Sequence, residues 1–433
     1  MSKKLRYFLI SLGFVIFAIF APVIILYVTG LKYDVAAKQF VQTGILALRS
    51  DPSSITETLD GKTVRDTAGD IKFLVPGEYS LQVEKTGYQT WSKRFFIQPN
   101  QVTWASPSPN KLVLFKNTQQ PRELASNVLD MYVTTTDVLY LTPLRLTVVS
   151  MANPGQSEVY NLKRPATTIT ASPNQESFLL LNNERNETPA DVTVFNVRDK
   201  TLSDISNLFN DKASFQFSDD NTLYALDNRV VYEVDIAGQK KTPIFAGVDS
   251  FTVVQGTLYY LQQGVATSSL NILPLTGGPS QTLISNIPDF STSKLMVNYQ
   301  KQMLVLLDST LYRVSNTLVP VTSDVANLNF DEPSGSLLVL HDNELDAYNY
   351  GTEDLSFITR TGAAIKNFIY RPDIGYALFY KDSTLEALEL DLRDHQNEYI
   401  FYQAQTPTKF AVDSNAKNLY ILDGDKLMIQ NIR

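Results

Sequence analysis

Eight short apolar runs, rich in Leu, Tyr and Val, recur at 138–141, 178–181, 223–226, 258–261, 304–307, 337–340, 376–379 and 419–422. Seven steps carry Leu139 to Leu419, a mean period of about 40 residues. A polar turn and a second β-type run follow, most plainly after Asp227, Asp308 and Asp382. No 3.6-residue apolar stripe longer than one or two turns intervenes, which argues against a helical solenoid. One such unit cannot bury both of its faces, so the units must pack radially and close into a ring. The expected fold class is all-β, with residues 117–433 forming a β-propeller of one four-stranded blade per repeat. Eight copies favour eight blades; seven follow if a terminal copy is shared in ring closure. The last run, 426–432, is expected to close the ring against an early strand.

The other end of the chain carries no charge between Arg6 and Lys32. That uncharged run of about 25 residues exceeds the roughly 20 that a helix needs to cross a bilayer core. Phe, Ile, Leu and Val occupy every face of it, whereas a helix packed on the surface of a globular domain keeps a polar stripe. Pro22 is tolerable in such a helix. Lys3, Lys4 and Arg6 precede the run with no acidic residue among them, which places the N-terminus in the cytoplasm and the rest outside. A cleaved signal peptide would have an apolar part of about 7–15 residues and a small-residue cleavage site. Tyr27-Val28-Thr29-Gly30-Leu31 has no Ala-x-Ala pattern. The organisation expected is a basic tail 1–6, a transmembrane helix 7–31, a juxtamembrane segment 32–42, a small sandwich 43–116 and the propeller 117–433. Gly13, Ala18 and Ala21 form only a sparse small-residue face for helix–helix packing.

Composition narrows the chemistry. A net charge of −8 argues against a nucleic-acid partner, because phosphate binding needs a concentrated basic surface. With no Cys, the chain has no disulfide, no thiolate nucleophile, no Cys-type zinc site and no lipoprotein processing. Only two His are present, His341 and His395, and both read as incidental. Asp382, Glu386, Glu389, Asp391 and Asp394 are abundant rather than paired, and the alternation 385–391 reads as a solvated strand edge. Asp413-Ser414-Asn415 and Asp423-Gly424-Asp425 offer oxygen ligands for Ca²⁺ but do not continue into a full ligand loop, so they read as hairpin turns. No Gly-x-Ser-x-Gly, phosphate loop or His-Glu-x-x-His occurs. No catalytic residue, metal ligand or cofactor is assigned.

Residues 43–116 read as short strands between turns. The apolar run 45–48 precedes Ser50-Asp51-Pro52, and Leu59-Asp60-Gly61-Lys62 is a tight-turn signature. Pro76-Gly77 leads into the alternating strand from Tyr79 to Val83, and Gly87 marks a second turn before Trp91. Tyr79, Tyr88 and Trp91 read as strand-packing aromatics; Trp104 is the better candidate for an exposed contact or for a wedge against the next domain. Ser106-Pro107-Ser108-Pro109-Asn110 reads as a stiff polyproline-type connector.

These residues resemble the PEGA domain in order: Asp60-Gly61-Lys62, then Leu74-Val75-Pro76-Gly77-Glu78-Tyr79-Ser80-Leu81-Gln82-Val83, then Lys85-Thr86-Gly87-Tyr88-Gln89-Thr90-Trp91. Pro52-Ser53-Ser54-Ile55 stands where the family has Pro-Glu-Gly-Ala. The resemblance implies an Ig-like or prealbumin-like sandwich serving as a spacer or interaction module of the bacterial envelope, with no catalytic residue. Ala171-Ser172-Pro173-Asn174 and Phe217-Ser218-Asp219-Asp220-Asn221 resemble turns of TolB-like blades, within a loose likeness to TolB, WD40 and quinoprotein propellers. The function expected is a single-pass, extracytoplasmic, non-enzymatic binding or scaffold protein of the cell envelope. Its partners would be the bilayer through 7–31 and an envelope protein or glycan. The alternatives are a carboxylate-dependent lyase or glycoside hydrolase with its site at the propeller channel, and an assembly factor for a membrane complex.

Overall fold

A computed structural model describes residues 3–35, 38–65, 69–106, 111–153, 155–182, 191–209, 213–264, 267–331 and 336–433. The apolar N-terminal run forms one helix, α1 (Lys3–Val28), whose window Phe8–Leu26 is long and apolar enough to cross a membrane. The described side chains of that helix from Arg6 onward are mostly exposed; those of Lys3 and Lys4 lie outside the described residues. The helix stops three residues before the expected bound at 31. Thr29 caps it, its N–H and Oγ1 both donating to the Ile25 carbonyl at 2.9 and 2.7 Å. Gly30 then takes φ +68°, the left-handed turn that ends many helices. The segment beyond is a two-stranded antiparallel hairpin, β1 (Leu31–Asp34) and β2 (Gln39–Gln42).

Two sheets follow. Val102–Trp104, Gly44–Ala47 and Asp70–Leu74 form one; Lys62–Arg65, Thr56–Leu59, Gly77–Glu84 and Trp91–Ile97 form the other. Asp60 and Gly61, at φ +48° and +75°, make the two-residue hairpin turn read from the sequence. A short parallel pair, Ser50–Asp51 with Leu112–Val113, leads out of the sandwich.

Among the described residues, eight further sheets of four antiparallel strands follow in sequence order. Blade one runs from Asp130–Val133 to Ser157–Asn161, and blade seven from Ile365–Arg371 to Glu398–Gln403. Blade eight joins Pro407–Val412, Asn418–Asp423 and Lys426–Asn431 to Arg122–Ala125, so the first propeller strand is the outermost strand of the last blade. The propeller therefore has eight blades, closed as expected.

The repeated apolar runs are the second strands, sandwiched between neighbouring blades. Period-2 alternation sends successive side chains to opposite neighbours. Leu223 and Ala225 pack with Leu179 and Val194 of blade two, while Tyr224 packs with Leu258 and Tyr260 of blade four. The last of these inter-blade cores joins Tyr420, Leu422 and Leu427 of blade eight to Met131 and Val138 of blade one. The core between blades seven and eight extends outward. Leu81, Trp91, Phe95 and Ile97 of the sandwich, and Leu112 to Phe115 of the exit segment, lie in one apolar cluster with Tyr376, Leu385, Tyr399, Phe401 and Leu419. The proline-bearing connector at 107–110 lies outside the described residues.

Candidate functional site

The innermost strand of each blade lines the central channel, and polar side chains there cross to the next blade. Asn329 Nδ2 donates to the Phe368 carbonyl at 3.3 Å, and Asn367 Nδ2 to the Thr408 carbonyl at 2.6 Å. Lys409 Nζ reaches Asp130 Oδ1 at 2.8 Å, and Asp130 Oδ2 accepts the Ile169 N–H at 2.8 Å. Blades six, seven, eight, one and two are linked in sequence this way. Gln216 Nε2 donates to Thr252 Oγ1 at 2.7 Å between blades three and four.

Within this ring lies a cavity of about 620 Å³, walled by Tyr132, Phe368 and Phe410 and carrying Thr170, Asn327, Asn329, Asn367 and Lys409. A smaller pocket of about 130 Å³ opens at the carboxyl ends of the inner strands of blades two to five, between Pro173, Phe217, Asp219, Asn298 and Tyr299. Both oxygens of Asp219 accept the Gln255 N–H there. Aromatic walls with a few amides and hydroxyls suit recognition of a polar ligand or of a protein loop. Among the described residues, no three His, Asp or Glu side chains gather as a metal site.

The second polar cluster lies at the seam of sandwich and propeller. Trp91 is fully buried and donates its indole N–H to Glu389 Oε1 at 3.1 Å. Lys93, also buried, sends Nζ to Glu389 Oε2 at 3.0 Å, the Asp391 carbonyl at 2.8 Å and Asp391 Oδ2 at 3.4 Å. The Asp391 carbonyl takes its hydrogen bond, and the two carboxylates pair with it as ions. Asn397 Nδ2 donates to Glu389 Oε2 at 2.7 Å and to the Ser92 carbonyl at 3.1 Å. Burial pushes the Asp391 carboxyl up, but hydrogen bonds from Arg393 and the charge of Lys93 outweigh it and hold the group below the usual range. Outside this cluster Arg94 grips Asp394 through Nε and Nη2 at 2.9 and 2.7 Å and holds that carboxyl well down. Burial pushes the nearby Tyr376 and Tyr399 hydroxyls far up.

The seam corrects the sequence reading of 385–391. Glu386 and Glu389 are buried, and the strand Thr384–Glu389 is covered along its length rather than solvated. The reason is tertiary: the sandwich strand Trp91–Ile97 caps the end of that strand with a lysine and an indole. Burial also raises the Glu386 carboxyl, which Lys381 offsets only in part.

The remaining predicted residues divide by role. Gly77 opens the strand Gly77–Glu84 opposite Ile97, with Pro76 just before it. Tyr79 is half-buried against the shared core and donates to the Val75 carbonyl at 2.9 Å. Gly87 turns at φ +83°, and Tyr88 bridges to Lys116. Trp104 is half-buried, with the Arg49 guanidinium 5.7 Å above its ring and its carbonyl accepting from Arg393 at 2.8 Å. Its ring borders a space at the seam beside Tyr370, Pro372 and Leu390. His341 lies 3.3 Å from Asp346, and His395 2.9 Å from Asp394. Asp423 accepts the Gln405 and Thr406 N–H groups, and Asp413 those of Lys417 and Asn418, so both segments are capped turns. The channel residues Asp130, Asn329, Asn367 and Lys409 were not singled out by sequence reasoning. Their only mark is a polar residue in the first strand of a repeat.

Residues 43–109 match the PEGA domain family. No curated protein sequence matches the chain significantly. Among solved structures, a eukaryotic initiation factor is similar at 13% identity and TM-score 0.45, over 67% of this chain and 94% of that one. PorZ, a surface component of the type-IX secretion system of Porphyromonas gingivalis, is similar at 14% identity and TM-score 0.43, over 70% and 42%. An oligogalacturonate lyase from Vibrio parahaemolyticus is similar at 8% identity and TM-score 0.41, over 60% and 87%. The chain thus carries a PEGA domain at 43–109, built into the flank of an eight-bladed β-propeller.

Proposed function

We propose that this protein is a membrane-tethered, extracytoplasmic binding protein that presents its propeller channel and the adjoining mouth to a protein or glycan of the cell envelope. The observation that carries this reading is the channel itself, a 620 Å³ cavity walled by aromatic rings and set with amides, a hydroxyl and a lysine. Asp130, the carboxylate beside it, is already engaged by Lys409 and the Ile169 N–H. That arrangement suits recognition better than carboxylate-dependent cleavage, which needs two facing acids about 5–10 Å apart. The apolar helix Phe8–Leu26, with Arg6 just before it, supports the tether and the orientation.

A photo-crosslinking amino acid at position 299 in the channel mouth, compared with position 159 on the outer strand of blade one, tests this in intact cells. The expected result is a discrete adduct from 299 and none from 159. Without an adduct specific to 299, the channel mouth is not the binding face.

A further inference from the structure

We infer that the hairpin of β1 and β2 is a second membrane contact, laying Tyr33, Val35 and Phe40 into the headgroup layer beside the carboxyl end of α1. The inference rests on the reading of α1 as a membrane anchor, and it adds a surface that reading does not use. Tyr33 and Phe40 are directly opposite in the ladder, and their rings meet edge to face at 5.3 Å between centroids. They are nonetheless 49% and 57% exposed, and Val35 at the end of the hairpin is 79% exposed. Among the described residues, β1 and β2 pair with no other strand. A lone two-stranded hairpin is marginal in water, and one exposing three large apolar side chains is more so.

The chain puts this hairpin where lipid begins. Gly30 turns the backbone directly out of the helix, and β1 starts at the next residue. At about 3.3 Å per residue, Tyr33 lies no more than about 10 Å beyond Gly30. The headgroup layer is roughly 5–8 Å deep on each side, so an oblique strand stays within it. Thr43 fixes the base of the hairpin, its N–H and Oγ1 both donating to the Gly30 carbonyl at 2.9 and 2.7 Å. Lys32 Nζ ties it to the sandwich through the Phe73 carbonyl at 3.3 Å, and exposed Lys38 suits an anionic lipid surface. Tyrosines and other amphipathic aromatics gather at this depth in membrane proteins. Helix and hairpin together would then hold the sandwich and the propeller locked to it in one orientation.

The chain has no cysteine, so single-cysteine spin labels report cleanly. Full-length Val35→Cys, and Arg198→Cys on exposed blade two as a reference, would be labelled, reconstituted in phosphatidylcholine–phosphatidylglycerol vesicles and floated. Collision rates with oxygen and with a water-soluble nickel chelate give the label depth. The expected result is a Val35 label several-fold less accessible to nickel than the Arg198 label, with the difference lost in Tyr33→Ser/Phe40→Ser. Equal nickel access at both positions in protein that floats with the vesicles overturns the hairpin contact and leaves the anchor standing. Protein that does not float overturns both.

Discussion

The indole of Trp91 and the carboxylate of Glu389, 298 residues apart in sequence, share a buried hydrogen bond of 3.1 Å at the seam of the PEGA domain and blade seven. The sandwich is therefore not a free spacer in this structure. Its interior and the core between blades seven and eight are one apolar cluster. The exit segment strengthens the joint, with Phe115 packed edge to face on Tyr376, Tyr399 and Phe401 at 4.8 to 5.5 Å.

Trp91→Ala removes a fully buried ring from that cluster and strips Glu389 of a donor. A loss of about 3–5 kcal/mol in unfolding free energy is expected. Because the core is shared, fluorescence from a probe in the sandwich and circular dichroism of the propeller should shift to the same lower denaturant midpoint. A sandwich that melts alone, with the propeller transition unmoved, would show that the two cores are energetically separate.

Lys93→Met leaves Glu389 buried without its cation, while Asp391 keeps Arg393. Breaking a buried pair by removing one partner costs about 3–5 kcal/mol. Denaturant titration of the variant measures this, and Lys93→Met combined with Glu389→Gln should recover part of it.

The same cluster sets a pH dependence. Asp391 is held below its ordinary value in the folded protein. A depressed carboxylate contributes stability that is present above its unfolded pKa, about 3.9, and lost as the pH falls through the folded value. Glu386 and Asp346, raised by burial, act in the opposite sense and cost stability as the pH rises past their unfolded values. The effect of Asp391 is thus read as a difference: the stability gap between wild type and Asp391→Asn should narrow from pH 6 to pH 3. A gap that stays constant would remove Asp391 from the account.

Ring closure depends on the final strand. A chain ending after Asp425 lacks Lys426–Asn431, which lies between Asn418–Asp423 and Arg122–Ala125. It also loses Leu427 from the core between blades eight and one. Limited proteolysis should find no protected propeller fragment in that truncation, against a resistant core in the full chain.

Two glycines of the sandwich should respond differently to Ala. Gly61 turns at φ +75° with open space around it, so the substitution costs roughly 1 kcal/mol of backbone strain. A Cβ on Gly44 would collide with the Gln98 carbonyl and with Ile97 Cγ2. Gly44→Ala should therefore be the more destabilising in thermal melts, although its conformation is the less unusual.

Local period and composition were enough to set several parts of the fold. The 40-residue recurrence demanded stacked β units, because each run of alternating apolar side chains needs a neighbour on both faces, and the second strands are those runs. Asp60-Gly61 dictated its two-residue turn because both positions take positive φ. The uncharged run after Arg6 dictated a helix long enough for a bilayer. Tertiary structure alone decided the count of eight, since that rests on Arg122–Ala125 pairing with a strand some 300 residues later. It also decided the fate of the acidic strand at 384–389, where alternation suggested solvent and the sandwich supplied a lid of Trp91 and Lys93. The channel polar groups were equally invisible, because an Asn or Lys in a short strand gives no sign of which blade it will meet. Period and turn chemistry are properties of neighbours in the chain. Burial, charge pairing and ring closure are properties of neighbours in space.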